Sequence, residues 1–138
     1  MSKGHRLFFA LVPDEGVRDR VTRLQRALDV AGRPAKPHQF HATLAFLGMQ
    51  RAELIPEITE IASGLAFPPC RIVMDAVGSF KRTGVLWLGA SETPEALAGF
   101  QHSLVGALLE AGIGYDRKPW KFHLTLYRKM RKRPVIID

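Results

Sequence analysis

The chain has 138 residues, a length that suits one compact domain able to bury a core without disulfides or a structural metal. Hydrophobic residues make up 46% and charged residues 24%, as in ordinary globular proteins, and the single cysteine, Cys70, excludes an internal disulfide. Lys and Arg number 20 against 13 Asp and Glu, and the resulting net charge of +7 favours a polyanionic partner such as nucleic acid.

The first half of the chain alternates apolar runs with amphipathic stretches. The apolar run at residues 7–12 predicts a buried strand and is too short for a signal peptide core or a membrane span. Pro13 and the two acids after it predict the start of a helix that ends at Gly32. The buried face of this helix is predicted from apolar residues at helical spacing: Val17, Val21, Leu24 and Leu28. A strand at residues 40–47 and a helix at residues 51–64 complete this half.

The second half shows the same alternation. Strands are predicted at residues 71–77 and 85–90, and the basic turn at residues 81–84 between them indicates a hairpin. A helix follows at residues 94–112, and the last strand is predicted at residues 122–127.

One motif occurs in both halves. Phe-His-Ala-Thr-Leu at residues 40–44 is matched by Phe-His-Leu-Thr-Leu at residues 122–126, so that His41 and His123 lie 82 positions apart. Self-similarity at a fixed period indicates a duplicated unit of fold. We therefore predict a single α+β domain, residues 1–138, of two similar pseudo-symmetric lobes at roughly residues 1–64 and 71–138. Antiparallel sheets with outer helices are expected around a central cleft.

Each copy of the motif places a polar pair on one face of its strand. Side chains at i and i+2 point the same way, so His41 lies beside Thr43, and His123 beside Thr125. Histidine titrates near neutrality, so one neutral and one protonated imidazole can act together as base and acid. In-line cleavage of a phosphodiester needs both groups, and threonine hydroxyls can donate to the phosphate oxygens that gain charge. The motif therefore predicts phosphodiester chemistry that needs no metal or other cofactor.

The paired His-x-Thr-Leu motifs resemble the signatures of the two-histidine (2H) phosphoesterase superfamily. Together with residues 6–11 and 40–48, they resemble more narrowly the bacterial 2′-5′ RNA ligase-like family, whose members are also called RNA 2′,3′-cyclic phosphodiesterases. The resemblance implies that His41 is the proton donor to the leaving 3′ oxygen. It implies that His123 is the proton acceptor from the attacking water.

The resemblance also assigns phosphate binding to Thr43, Thr125 and Arg128. Arg128 follows His123 by five residues, an odd offset that puts the two side chains on opposite faces of a straight strand. Arg128 is therefore expected to reach the phosphate only if the strand ends or bulges near Tyr127. Family members usually continue with further strands after the second motif, so either the second sheet lacks an edge strand or the chain is a shortened form.

The resemblance implies an enzyme that opens the 2′,3′-cyclic phosphate end of an RNA to a 2′-phosphomonoester, with the reverse 2′-5′ ligation as a weak activity. Small cyclic nucleotides or an ADP-ribose cyclic phosphate are alternative substrates. A non-catalytic basic RNA-binding module is the alternative from another class. The expected partner is RNA with a cyclic phosphate end, without a membrane or an obligate protein partner, and the single cysteine fits a reducing cytoplasm.

Other residues have weaker signals. His38 and His41 are spaced i, i+3, but no carboxylate cluster accompanies them, so no metal site is expected. Four aromatic residues are candidates for stacking on a nucleobase: Phe8, Phe9, Phe46 and Trp120. The basic run at residues 128–133 is either a solvated tail or a track for an RNA backbone.

Overall fold

The computed structural model describes residues 4–130, which form an α+β fold whose four-stranded sheet is antiparallel, and this confirms the predicted class. The strands are β1 Gly4–Leu11, β2 Arg33–Pro34, β3 Ala42–Arg51, β4 Ala76–Phe80, β5 Val85–Gly89 and β6 His123–Arg128. The α-helices are α1 Glu15–Ala27, α2 Ile55–Ser63 and α3 Glu95–Glu110. In this part of the chain, no helix combines the length and the hydropathy needed to cross a bilayer.

The chain divides into two compact units, each assembled from three separate segments. Within the described residues, unit 1 contains residues 4–10, 43–72 and 92–121, and unit 2 contains residues 11–42, 73–91 and 122–130. These units differ from the predicted halves because both halves of the sequence contribute to each unit. Most of β1 and β3 belongs to unit 1, whereas α1, which lies between them in sequence, belongs to unit 2. A single domain of duplicated lobes stays a prediction.

Unit 1 contains the two-stranded sheet of β1 and β3 together with α2 and α3. The side chain of Gln101 on α3 donates to the carbonyl of Leu44 in β3 at 3.1 Å. The backbone N–H of Asp116 donates to the carbonyl of Phe46 at 2.8 Å. These bonds attach β3 to α3 and to the loop after it. The predicted end of α3 is confirmed, since Gly112 adopts a φ of 75° directly after the last turn.

Unit 2 is a four-stranded sheet in the order β2-β6-β5-β4, with α1 packed on one face. The buried core contains Val21, Phe40, Leu86, Leu88, Leu124, Leu126 and Tyr127. Val17, Leu24 and Leu28 pack against this core, which confirms the predicted apolar face of α1. The predicted hairpin is also confirmed, because β4 and β5 pair from Ala76↔Gly89 to Phe80↔Val85.

The predicted start of one strand and the predicted end of one helix are wrong, because both regions depend on tertiary contacts. The strand predicted from residue 71 begins only at Ala76, because β5 ends at Gly89 and leaves the preceding residues without a partner strand. The helix α1 ends at Ala27 and does not extend to Gly32. A Cβ at position 32 would lie 2.9 Å from the carbonyl oxygen of Arg128, so glycine is required here by the close approach of β6.

Candidate active site

The second motif lies on β6 with its polar residues turned away from the core. His123 pairs with Gly89 and Thr125 with Trp87, and both polar side chains are half-buried. Leu124 between them is only 2% exposed and belongs to the core under α1. The alternation of a strand therefore presents the imidazole and the hydroxyl on the sheet face opposite to α1.

One extra residue interrupts β6 directly after the motif. Thr125 pairs with Trp87 and Tyr127 pairs with Leu86, so Leu126 has no residue of its own opposite it. Leu126 and Tyr127 are consecutive and yet both buried, at 0% and 8% exposure. This is a β-bulge, in which two residues of one strand oppose one residue of its neighbour.

The bulge decides where Arg128 points. In an uninterrupted strand the odd offset would place Arg128 on the face opposite to His123. One inserted residue reverses the alternation, so Arg128 returns to the face of His123 and Thr125, in agreement with its exposure. The structure thus brings three of the five predicted site residues to one face of the unit 2 sheet.

A buried glutamine holds the bulge in place. Gln25 on α1 is 5% exposed, and its amide Nε2 donates to the carbonyls of Leu126 at 2.8 Å and Ala35 at 2.9 Å. The hydroxyl of Tyr127 donates in turn to the backbone carbonyl of Gln25 at 2.7 Å. Gln25 was not among the residues predicted from the sequence. Its signal is a polar side chain within the apolar stripe of α1, four residues after Val21.

His41 belongs to the same unit and has one ring nitrogen fixed. It follows the short 3-10 helix Pro37–Gln39, and the intervening Phe40 is 2% exposed in the core. Nδ1 of His41 lies 2.8 Å from the carbonyl oxygen of Gln39. Because a carbonyl only accepts, Nδ1 is the donor in this bond, which leaves Nε2 as the nitrogen that can exchange a proton.

Thr43, two residues after His41, begins the part of β3 that belongs to unit 1. Its side chain is half-buried. Its backbone carbonyl accepts a hydrogen bond of 3.0 Å from the indole N–H of Trp120. Trp120 therefore fixes the backbone at the first motif, a role that differs from the base stacking predicted for it and leaves that prediction untested.

Aromatic rings accompany His123 on its face of the sheet. The rings of Phe80 and His123 form a T-shaped pair, with centroids 5.1 Å apart and an interplanar angle of 85°. The centroid of the Phe80 ring is 5.7 Å from that of Trp87. A Cβ at Gly78 would collide with the Trp87 ring, so glycine makes room for the indole. Phe80 was not predicted from the sequence, since its contact with His123 spans from β4 to β6 across β5.

The other sequence candidates lie in different surroundings. Phe8 and Phe46 are exposed in unit 1, at 48% and 36%, and the guanidinium of Arg6 lies 5.7 Å from the Phe46 ring centroid. Phe9 is half-buried. Of the predicted basic run, residues 128 and 129 are exposed and residues 131–133 lie outside the described part of the chain. Residues 4–130 contain no group of three or more His, Cys, Asp or Glu side chains placed to hold a metal ion.

The model of the LigT like Phosphoesterase family matches residues 11–87, which is more than half of the chain. The chain belongs to the LigT-like phosphoesterase family. This LigT-like phosphoesterase is 35% identical to the RNA 2′,3′-cyclic phosphodiesterase of Archaeoglobus fulgidus, an alignment that covers 96% of the chain and 77% of that relative. It is 31% identical to the protein of the same name from Escherichia coli, with 93% and 74% covered.

The fold agrees with a solved member of the same family. The apo crystal structure of E. coli LigT superposes with a TM-score of 0.88 at 29% sequence identity, over 99% of this chain and 78% of that one. The family predicted from the two His-x-Thr-Leu motifs is therefore confirmed, and the superposition supports the confirmed fold class.

Proposed function

We propose that this LigT-like phosphoesterase is an RNA 2′,3′-cyclic phosphodiesterase that yields a 2′-phosphomonoester. The observation that carries the proposal is the face of β6, on which His123, Thr125 and, beyond the bulge, Arg128 lie together. An imidazole, a hydroxyl and a guanidinium on one face can move a proton and bind the oxygens of one phosphate. Both curated relatives described above carry the name of this activity.

The proposed reaction uses the two imidazoles on opposite sides of the phosphorus atom. His123 accepts a proton from water as the water oxygen bonds to phosphorus. His41 donates a proton from Nε2 to the 3′ oxygen as its bond to phosphorus breaks, and the phosphate stays on the 2′ oxygen. The carbonyl of Gln39, which accepts from Nδ1, orients the ring for this transfer. The assignment of acid and base follows the family resemblance.

The remaining site residues are proposed to stabilise the negative charge that develops on the phosphate in the transition state. Thr43, Thr125 and Arg128 are proposed to donate to the non-bridging oxygens, which gain negative charge during attack. The same groups can run the reverse reaction, in which a 5′ hydroxyl attacks the cyclic phosphate and forms a 2′-5′ bond. The proposed partner is RNA with a 2′,3′-cyclic phosphate end, and the proposed location is the cytoplasm, where Cys70 stays reduced.

Product analysis tests the proposal. An RNA dinucleotide with a 2′,3′-cyclic phosphate end, a cyclic mononucleotide and an ADP-ribose cyclic phosphate are each supplied with excess EDTA. We expect the highest kcat/KM for the dinucleotide and a 2′-phosphate in the ³¹P NMR spectrum of the product. A preference for ADP-ribose cyclic phosphate would replace the RNA assignment. Absence of turnover on all three would be the result expected of an RNA-binding module, and a 3′-phosphate product would contradict the proposed cleavage at the 3′ oxygen.

A further inference from the structure

We propose that Arg33 and Lys129 form a second phosphate site, which binds the phosphodiester that joins the last two nucleotides of the substrate. This inference rests on the proposed RNA phosphodiesterase function and adds a determinant of substrate length to it. A cyclic mononucleotide lacks this phosphodiester, so the site would distinguish an RNA end from a small cyclic nucleotide.

The site is an open pocket at one end of the unit 2 sheet. Its volume is about 440 Å³, and it is lined by Ala31, Gly32, Arg33 and Lys129. Gly32 allows the close approach of β2 and β6 here, because a Cβ would lie 2.9 Å from the Arg128 carbonyl. The lining thus combines small residues with two exposed cations, a composition that suits a phosphate group.

The backbone at Lys129 is turned in a way that shapes this pocket. Lys129 has a φ of 53°, in the left-handed region that residues other than glycine rarely adopt. The turn lets the N–H of Met130 donate to the carbonyl of Gly84 at 3.0 Å, which joins the end of β6 to the β4–β5 turn. A backbone held in an unfavourable region by such contacts is a common feature of ligand-binding positions.

Positive charge from three separate segments converges at this end of the sheet. Arg33 of β2 pairs directly with Arg128 of β6, and like charges in a cross-strand pair repel each other unless an anion lies between them. Lys81 and Arg82 lie in the β4–β5 turn that contacts Lys129 through Gly84. All five of these cations are exposed. A polyanion bound here would relieve their mutual repulsion.

Arg33, which lines the pocket, lies on the face that carries the candidate active site. Cross-strand partners share a face, so Arg33 lies with Arg128 on the side of His123 and Thr125. Neighbouring strands are about 4.8 Å apart, which puts Arg33 one strand away from Arg128. An RNA end whose cyclic phosphate contacts the second motif and Arg128 can therefore place its next phosphate in the pocket.

The test removes both cations while keeping the backbone. Arg33→Gln is combined with Lys129→Asn, because asparagine tolerates a positive φ and retains the turn. The control is Arg20→Gln with Arg23→Gln, which removes the same charge from exposed positions on α1. We expect the pocket variant to lower kcat/KM for the cyclic-phosphate dinucleotide about 3- to 10-fold, mainly through KM. Turnover of the cyclic mononucleotide should stay within twofold of the unmodified protein.

Three results would overturn the site. An equal loss of kcat/KM on both substrates would mean that the two cations act on the reacting phosphate or stabilise the fold. Equal loss in the α1 control would mean that only total charge matters, and full dinucleotide activity would mean that the pocket does not contact RNA. Affinity for a uridine tetranucleotide without a cyclic phosphate, measured by fluorescence anisotropy, separates this site from the proposed function. In one outcome, the protein turns over no cyclic phosphate while the pocket variant still binds the tetranucleotide more weakly than its control. This result would contradict the proposed phosphodiesterase function and support the second phosphate site.

Discussion

At the scale of single residues, the two motif histidines have different supports. The carbonyl of Gln39 fixes Nδ1 of His41, whereas a T-shaped contact with the Phe80 ring orients the imidazole of His123. We predict that His41→Ala or His123→Ala lowers kcat on a cyclic-phosphate dinucleotide by about 10²- to 10⁴-fold, the range for one general acid or base. Steady-state kinetics with the dinucleotide measure this loss.

The histidine variants need a control that separates chemistry from folding. His102 is exposed on α3 in unit 1, so His102→Ala should retain full activity and the same thermal unfolding midpoint. The two motif variants should unfold within a few degrees of the original protein, because both side chains are only half-buried. Near-normal turnover in either motif variant would rule out the two-histidine mechanism.

At the scale of secondary-structure elements, the bulge in β6 depends on Gln25. We predict that Gln25→Leu destabilises the fold by about 1–3 kcal/mol, because the carbonyls of Leu126 and Ala35 lose a buried donor. It should also lower kcat/KM, since Arg128 is no longer held on the face of the site. Urea unfolding and kinetics in the absence of urea measure the two effects.

Matched variants separate the effect on Arg128 from general destabilisation. Ile58→Ala removes core packing from α2 in unit 1, whereas the bulge lies in unit 2, so it should lose stability and keep kcat/KM under native conditions. Arg128→Gln alone should lower kcat/KM about 10- to 100-fold. Adding Gln25→Leu to it should cause little further loss, because both changes act through one contact. Additive losses in the double variant would show that Gln25 does not act through Arg128.

The open end of the β4–β5 hairpin is joined by Asp75 and Ser91. The backbone N–H of Ser91 donates to Oδ1 of Asp75 at 2.7 Å, and its hydroxyl donates to Oδ2 at 2.7 Å. These bonds, the backbone bond first, hold the pKa of Asp75 below its ordinary value of 3.8. The carboxylate therefore stabilises the folded state above pH 3.8, and this contribution disappears as the pH falls through the lower folded-state pKa.

The corresponding prediction concerns the pH dependence of unfolding. At pH 7, Asp75→Asn should be less stable than the unmodified protein, and the difference should shrink as the pH falls below 3.8. Urea unfolding at a series of pH values measures it. Asp19→Asn, an exposed position on α1, serves as the control for loss of one negative charge. A difference between Asp75→Asn and the unmodified protein that stays constant down to pH 2 would contradict the role of the carboxylate.

At the scale of the whole molecule, the proposed reaction draws its acid and its base from side chains. Two imidazoles supply both proton transfers, so we predict that excess EDTA leaves turnover of a cyclic-phosphate dinucleotide within twofold of the untreated rate. Initial rates before and after chelation and gel filtration measure this. Loss of activity that a divalent ion restores would instead place the enzyme among metal-dependent phosphoesterases.

Features that depend on near neighbours in the chain could be predicted from the sequence. The apolar stripe of α1, the hairpin turn between β4 and β5, and the end of α3 at Gly112 follow from spacing and turn chemistry that involve near neighbours. The repeat of Phe-His-x-Thr-Leu predicted the family because two copies in register rarely arise by chance. For the second motif, it also predicted that His123 and Thr125 share the face of β6 opposite to Leu124.

Features that depend on distant residues could be recognised only in the fold. The bulge at Leu126 exists because Tyr127 pairs with Leu86, some forty positions earlier, and because Gln25, about a hundred positions earlier, holds the inserted carbonyl. The pairing of Arg33 with Arg128 and the division of both sequence halves between two units are equally non-local. A strand pattern has a period of two and contains no sign of an inserted residue. The side of the sheet on which Arg128 lies is therefore set by its partner strands and not by its own segment.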